Sequence, residues 1–192
     1  MNALVTLYRG GTDAQRAKGR EWYPAMHREC ARIARDTASN TERVTAVLAI
    51  TSPDAQLVTN VRWARAWAES PGVKIGRYPG RMVAACRKAW TADDPGAHVT
   101  GVKVAAFYRA IMGDKDALVL DRWALRMATG SAATTVGNRR EAEALYREAA
   151  AACGENVRDM QAIIWTIGRE AMTRPDGARV KLVDIHDIEV AS

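Results

Sequence analysis

The reading of this chain turns on His98–Val99–Thr100–Gly101–Val102–Lys103–Val104–Ala105–Ala106–Phe107–Tyr108, which continues through Ile111–Met112–Gly113 to Val119–Leu120–Asp121–Arg122–Trp123. A glycine between two helical segments permits the tight backbone that lets them meet. The helix restarting at Val102 would present its first amides outward, and such amides bind phosphate. Lys103 adds a positive charge in the first turn. The same residues also fit an ordinary interhelical turn, and both readings stand at this point. Asp121 follows an apolar pair, so it is an N-cap for a helix starting at Arg122, an acid with chemistry to perform, or both.

Upstream, helix formers run without a break from Asp13 to Thr37, and Trp22, Ala25, Met26, Cys30, Ile33 and Ala34 recur at three- and four-residue steps. That pattern predicts a long helix, in which Pro24 marks either a kink or the start of a second helix. Ser39–Asn40–Thr41–Glu42 has the form of a capping box. The helix it opens carries Val44, Val47, Leu48 and Ile50, as a central element packed on several sides would. Thr51–Ser52–Pro53 predicts a stop and a restart, with Ser52 as cap and Pro53 at the first helical position. The next helix should run to about Glu69, with Leu57, Val61, Ala64 and Ala68 on its inner face. Ser70–Pro71–Gly72 ends it. A basic connection follows, and then Met82, Val83, Cys86 and Trp90 again repeat at helical spacing. Asp93–Asp94–Pro95–Gly96 reads as a turn.

Downstream, Asn138–Arg139–Arg140–Glu141 predicts a capped helix that ends at Gly154, with Ala142, Leu145, Tyr146 and Ala149 inward. A last helix is expected from Val157 to Met172, burying Met160, Ile163, Ile164 and Ile167. The tail Arg179–Val190 alternates in part, so it is either a short β strand or an extended strap. The architecture is all-α, with seven to nine helices.

The chain has 192 residues, enough for one domain with an ordinary core. An apolar fraction of 48% argues against disorder, and no apolar run approaches the roughly 20 residues of a membrane span. The N-terminus lacks the basic region of a secretory signal, so a cytoplasmic, non-membrane protein is expected. Three scattered cysteines and three scattered histidines fit neither a disulfide framework nor a metal site. No metal or cofactor is expected. The net charge of +6 favours phosphate polymers, although an Ala- and Arg-rich sequence also arises from base composition alone.

The order of residues from Gly101 to Trp123 resembles the helix-hairpin-helix DNA glycosylase superfamily, in its endonuclease III-like branch. There the hairpin is followed by an amphipathic helix, a glycine-containing loop and an aspartate after an apolar pair. Lys103 and Asp121 stand eighteen positions apart, the separation of that branch's Schiff-base lysine and catalytic aspartate. Val47–Leu48–Ala49–Ile50–Thr51–Ser52–Pro53, with Asn60 beyond it, is similar to the segment those enzymes place beside the lesion. Gln161–Ala162–Ile163–Ile164–Trp165–Thr166–Ile167–Gly168–Arg169 is similar to their late core helix. The superfamily's hairpin carries two glycines. Here there is only Gly101, and a gapless alignment puts Lys103 at the second glycine and Ala105 at the lysine. The cysteine quartet of the iron–sulfur members is absent. Val119–Leu120–Asp121–Arg122–Trp123–Ala124 also resembles related bacteriophage proteins, some of which modify thymine.

The resemblance implies a single helical domain, with residues 1–40 an N-terminal extension, 41–172 a glycosylase-like core and 173–192 a tail. It implies DNA as partner and a monomer, in a host cytoplasm if phage-encoded. Thr100, Gly101, Val102 and Lys103 would hold the DNA backbone. Asp121 would act on a flipped, modified pyrimidine nucleotide, and Lys103 would add a lyase step if it reaches C1′. Ser52, Gln56, Asn60, Trp63, Tyr108, Trp123 and Trp165 would form the base pocket. Each also has a plainer role as cap, helix–helix hydrogen bond or core aromatic. Two alternatives share the fold: hypermodification of a 5-substituted thymine in phage DNA, and DNA binding without catalysis.

Overall fold

Short polar side chains start most of the helices of this chain, and they do so where the backbone is still extended. The computed structural model describes residues 2–53, 55–74 and 80–171. Every regular element among the described residues is helical: α1 (Ala3–Gly10), α2 (Asp13–Asp36), α3 (Thr41–Thr51), α4 (Leu57–Glu69), α5 (Gly80–Thr91), a 3₁₀ turn (Gly96–His98), α6 (Val102–Ile111), α7 (Arg122–Thr129), α8 (Val136–Cys153) and α9 (Val157–Glu170). The tail Arg179–Val190, read above as strand or strap, lies outside the described residues. No helix among the described residues is long and apolar enough to cross a membrane.

The described residues divide into two units, one holding those up to Tyr23 and those from Asp114 onward, the other holding Pro24–Gly113. In the first unit, α1 packs on α7, α8 and α9, and α7 packs on both α8 and α9. Its core joins Leu4 and Val5 of α1 to Leu120, Leu125, Tyr146, Met160 and Ile164. Helix α1 is an addition to the sequence reading. Asn2 caps it by accepting from the Leu4 amide at 3.0 Å, and its own amide donates to the Leu145 carbonyl at 2.9 Å. Gly19 lets the first half of α2 approach α9, because a Cβ there would stand 2.5 Å from the Ile163 Cα.

In the second unit α3 is central. It packs on α4, α5 and α6, and all residues from Val44 to Thr51 are buried. The hydrophobic face expected of α4 is inward at Val61, Ala64 and Ala68, joined by Trp67. Helix α2 is continuous through Pro24, so the proline neither ends it nor starts a second helix. What it removes is one helical N–H, that which would donate to the carbonyl four residues earlier.

Three expected helix starts shift. Helix α3 is capped by Asn40, whose side-chain oxygen accepts from Glu42 and Arg43 at 2.7 and 3.3 Å. The Ser39 amide, which a capping-box Glu would engage, instead closes the end of α2 on the Ala34 carbonyl at 2.7 Å. Helix α4 starts at Leu57 rather than at Pro53. Ser52 is the C-cap of α3, and its carbonyl accepts from Ala55 at 3.3 Å in a turn. Helix α8 is capped by Thr135, not by Asn138. The Asn138 side chain is instead engaged with the Ser131 and Ala133 carbonyls, at 3.2 and 2.7 Å, and so fixes the preceding loop.

Candidate functional site

Asp121 sits where an extended segment becomes a helix. Val119 and Leu120 are buried, which fixes the approach, and Ala124 and Leu125 are buried in the first turn of α7. The Asp121 backbone is extended at φ −83° and ψ 176°, and its Oδ1 accepts from the Ala124 amide at 2.7 Å. A carboxylate at this end of a helix is also stabilised by the backbone dipoles. Oδ2 takes no hydrogen bond from the described residues. The carboxylate is half-buried.

Two buried phenols lie within its electrostatic reach. Tyr23 donates to Gln161 Oε1 at 2.8 Å, and Tyr146 donates to the Ala124 carbonyl at 3.4 Å. Burial pushes both phenols well up from their ordinary value, and the Asp121 charge pushes them further. Both therefore remain neutral donors at any ordinary pH. Arg169 is a cation in the field of Asp121, as Arg158 is in that of Tyr23. Burial lowers its guanidinium pKa, while the Asp121 charge works in the opposite direction.

Trp123 and Trp165, two of the residues assigned to a base pocket, carry arginine. The Arg169 guanidinium carbon is 5.0 Å from the Trp165 ring centroid and 5.5 Å from that of Trp123, and Arg126 is 5.1 Å from Trp123. Trp165 also meets Trp22, with ring centroids 6.1 Å apart. Gly168 makes room beside Arg169 for the Met127 sulfur. Arg169 and Arg126 are the functional candidates that the sequence reading missed. Their signal is local: Trp165 and Arg169 are four residues apart on one helix, Trp123 and Arg126 three apart on another, the spacings at which helical side chains meet.

The hairpin residues belong to the second unit. Helix α6 begins after Gly101, whose φ of +93° and ψ of 132° belong to glycine alone, and no side chain caps the helix. Thr100 and Gly101 are exposed, Lys103 is partly so, and Val102 is 76% exposed although apolar. The segment before Gly101 differs from expectation. It is the 3₁₀ turn Gly96–His98 followed by buried Val99, rather than an α-helix running up to the glycine. Pro95 and the Asp94 carboxylate, which accepts from the Ala97 amide at 3.2 Å, bend the chain there.

Two of the remaining pocket candidates of this unit, Asn60 and Tyr108, have structural partners. Asn60 is 2% exposed, accepts from the Thr51 hydroxyl at 2.7 Å and donates to the Leu48 carbonyl at 3.0 Å. Tyr108 lies against Gly96, where a Cβ would stand 2.8 Å from its ring, and burial, with Glu42 and Asp94, pushes its phenol up to about 12. The Ser52 hydroxyl is buried and has no hydrogen-bond partner among the described residues. Gln56 is exposed at the start of α4 without a side-chain capping bond, and Trp63 is partly exposed. Thus Asp121, Trp123 and Trp165 are in one unit, while Ser52, Gln56, Asn60, Trp63, Tyr108 and Thr100–Lys103 are in the other. Among the described residues, no group of three or more His, Cys, Asp and Glu side chains could hold a metal ion.

Among the described residues these features define an all-helical architecture with a capped carboxylate and an arginine–tryptophan cluster. Residues 1–172 match the model of a family of unknown function (DUF7178), and the chain belongs to that family. No curated protein and no solved structure matches it.

Proposed function

We propose that this chain is a DNA base-processing enzyme of the helix-hairpin-helix glycosylase type, with Asp121 as its central acid. The observation that carries this reading is the Asp121 carboxylate itself. It is half-buried, Oδ1 is tied to the Ala124 amide, and Oδ2 is left open among the described residues. In hydrolysis of an N-glycosidic bond, the C1′–N electron pair leaves with the base and the sugar gains oxocarbenium character. A fixed carboxylate stabilises that charge and accepts a proton from the water that forms the new C1′–O bond; the proton then passes to the departing base. Lys103 remains a proposed DNA contact, with a lyase role only if it reaches the same carbon. Support for the DNA grip comes from the uncapped amides at the start of α6 and the net charge of +6.

The test uses duplexes containing uracil, 5-hydroxymethyluracil, oxidised purines or alkylated bases, each assayed for strand breaks with and without alkali. Base release by the wild type and its loss in Asp121→Asn are expected. Equal activity in Asp121→Asn, or no release from any substrate, defeats the glycosylase reading. Mass spectrometry of the nucleosides in the second case shows whether a group has been added instead.

A further inference from the structure

The stretch from Arg122 to Arg140 holds four arginines and no acid. It forms α7, the loop after it and the start of α8, and α7 packs on α8. Elsewhere in this unit basic side chains are neutralised: Arg16, Arg20, Arg147 and Arg158 pair with Asp13, Glu155, Glu143 and Asp159, and Lys18 pairs with Glu170. Arg126 and Arg140 are exposed and enter no ion pair among the described residues. Ala124, Leu125 and Ala128 bury one face of α7, which leaves Arg122 and Arg126, four residues apart, exposed on the other. Arg126 is also held in place, with its guanidinium carbon 5.1 Å from the Trp123 ring centroid. Arg169 lies 5.5 Å from the same ring, so one indole gathers two like charges that repel each other. Asp121 is the acid in the field of Arg169, and a single carboxylate does not neutralise two guanidiniums and Arg122 besides. The loop Gly130–Thr135 adds no charge of either sign, and Arg139 secures it by donating from Nε to the Thr134 carbonyl at 3.2 Å.

We propose that the exposed face of α7, through Arg122 and Arg126, binds the phosphate backbone of duplex DNA next to Asp121. An exposed guanidinium fork matches the paired oxygens of a phosphate, and a row of cations matches a polymer of phosphates. The face continues into Thr129 and lacks the apolar stripe that binding to a lipid surface requires. The choice of DNA among phosphate polymers rests on the function proposed above. The unit that carries Asp121 then has its own hold on the substrate, additional to Thr100–Lys103 in the other unit.

The full chain is titrated onto a fluorescently labelled DNA duplex of mixed sequence at a series of salt concentrations. Arg122→Gln and Arg126→Gln should each lower the slope of log affinity against log salt by about one, and the double variant by about two. Arg126→Lys should keep the slope and lose affinity, because an ammonium keeps the charge and loses the fork. Arg147→Gln removes the same charge from a position paired with Glu143 and should leave the slope as in wild type. A wild-type slope in the double variant, a fall in Arg147→Gln equal to that in Arg126→Gln, or no binding of the duplex by wild type overturns the inference. Tighter binding to phosphatidylserine vesicles, or to an RNA duplex of the same sequence, overturns the choice of DNA. Should Arg126→Gln lose its helical circular dichroism, Arg122→Gln, which leaves the Trp123 contact intact, decides. A slope lost in the double variant, with no base released by wild type, supports this inference while the enzymatic reading fails. Base release combined with an unchanged slope in the double variant does the reverse.

Discussion

Helices α6 and α7 begin in opposite ways. Asp121 closes the start of α7 with its own side chain and brings a negative charge to the positive end of the helix. Gly101 brings no side chain to the start of α6, and the residue after it, Val102, is the most exposed of the large apolar residues among those described. One terminus is satisfied from within, so its carboxylate is fixed in position. The other keeps amides that only an outside acceptor can satisfy. A fixed acid is suited to chemistry and an open terminus to binding, and that contrast is the basis of the division of labour proposed between Asp121 and Thr100–Lys103.

The sharpest way to break the contrast is Asp121→Asn. Asparagine caps as well as aspartate, so thermal stability should hold, while base release should fall by about a hundred- to ten-thousandfold. A parallel fall in melting temperature would mean that the residue is only a cap. Gly101→Ala comes next. A Cβ at Gly101 meets nothing within 4 Å, so the cost is confined to the backbone at φ +93° and should be about 1–3 kcal/mol in urea unfolding, with weaker DNA binding. Asp121→Ala removes the cap as well as the acid and should lose about 1 kcal/mol of stability that Asp121→Asn retains. The smallest effect is expected from Lys103→Ala, which should reduce the salt slope of DNA affinity by about one and leave alkali-dependent cleavage intact. Loss of alkali-independent cleavage in that variant would instead give Lys103 a lyase role.

Elements that bury a continuous stripe are legible in the sequence. Met160, Ile163, Ile164 and Ile167 face inward on α9 as their spacing predicts, and α3 is buried along nearly its whole length. Starts were read one to four residues away because Ser39, Asn40, Ser52 and Asn138 all have side chains able to cap. The choice among them depends on where the neighbouring amides are already engaged, as the Ser39 amide is with Ala34. Helix α1 escaped because its short stripe makes sense only against α8 and α9, more than a hundred residues away. The cap at Asp121 was legible from Leu120–Asp121–Arg122. The neighbourhood of Arg169 was not, since it joins Trp123 to Trp165 across two helices, and no spacing rule spans that distance.

The division at Tyr23 and Gly113 also bears on how the chain assembles. Among the described residues the second unit is one uninterrupted run, Pro24–Gly113, so those contacts form within a single segment. Among the described residues the first is made of two pieces, and α1 packs on helices from the second of them, with the Asn2 side-chain amide donating to the Leu145 carbonyl. Closing a flexible loop the length of Pro24–Gly113 costs about 4 kcal/mol on the (3/2)RT ln n scaling. A prior collapse of the second unit shortens that loop. Connectivity alone therefore favours formation of the segment that carries the hairpin before the surroundings of the Asp121 carboxylate are assembled.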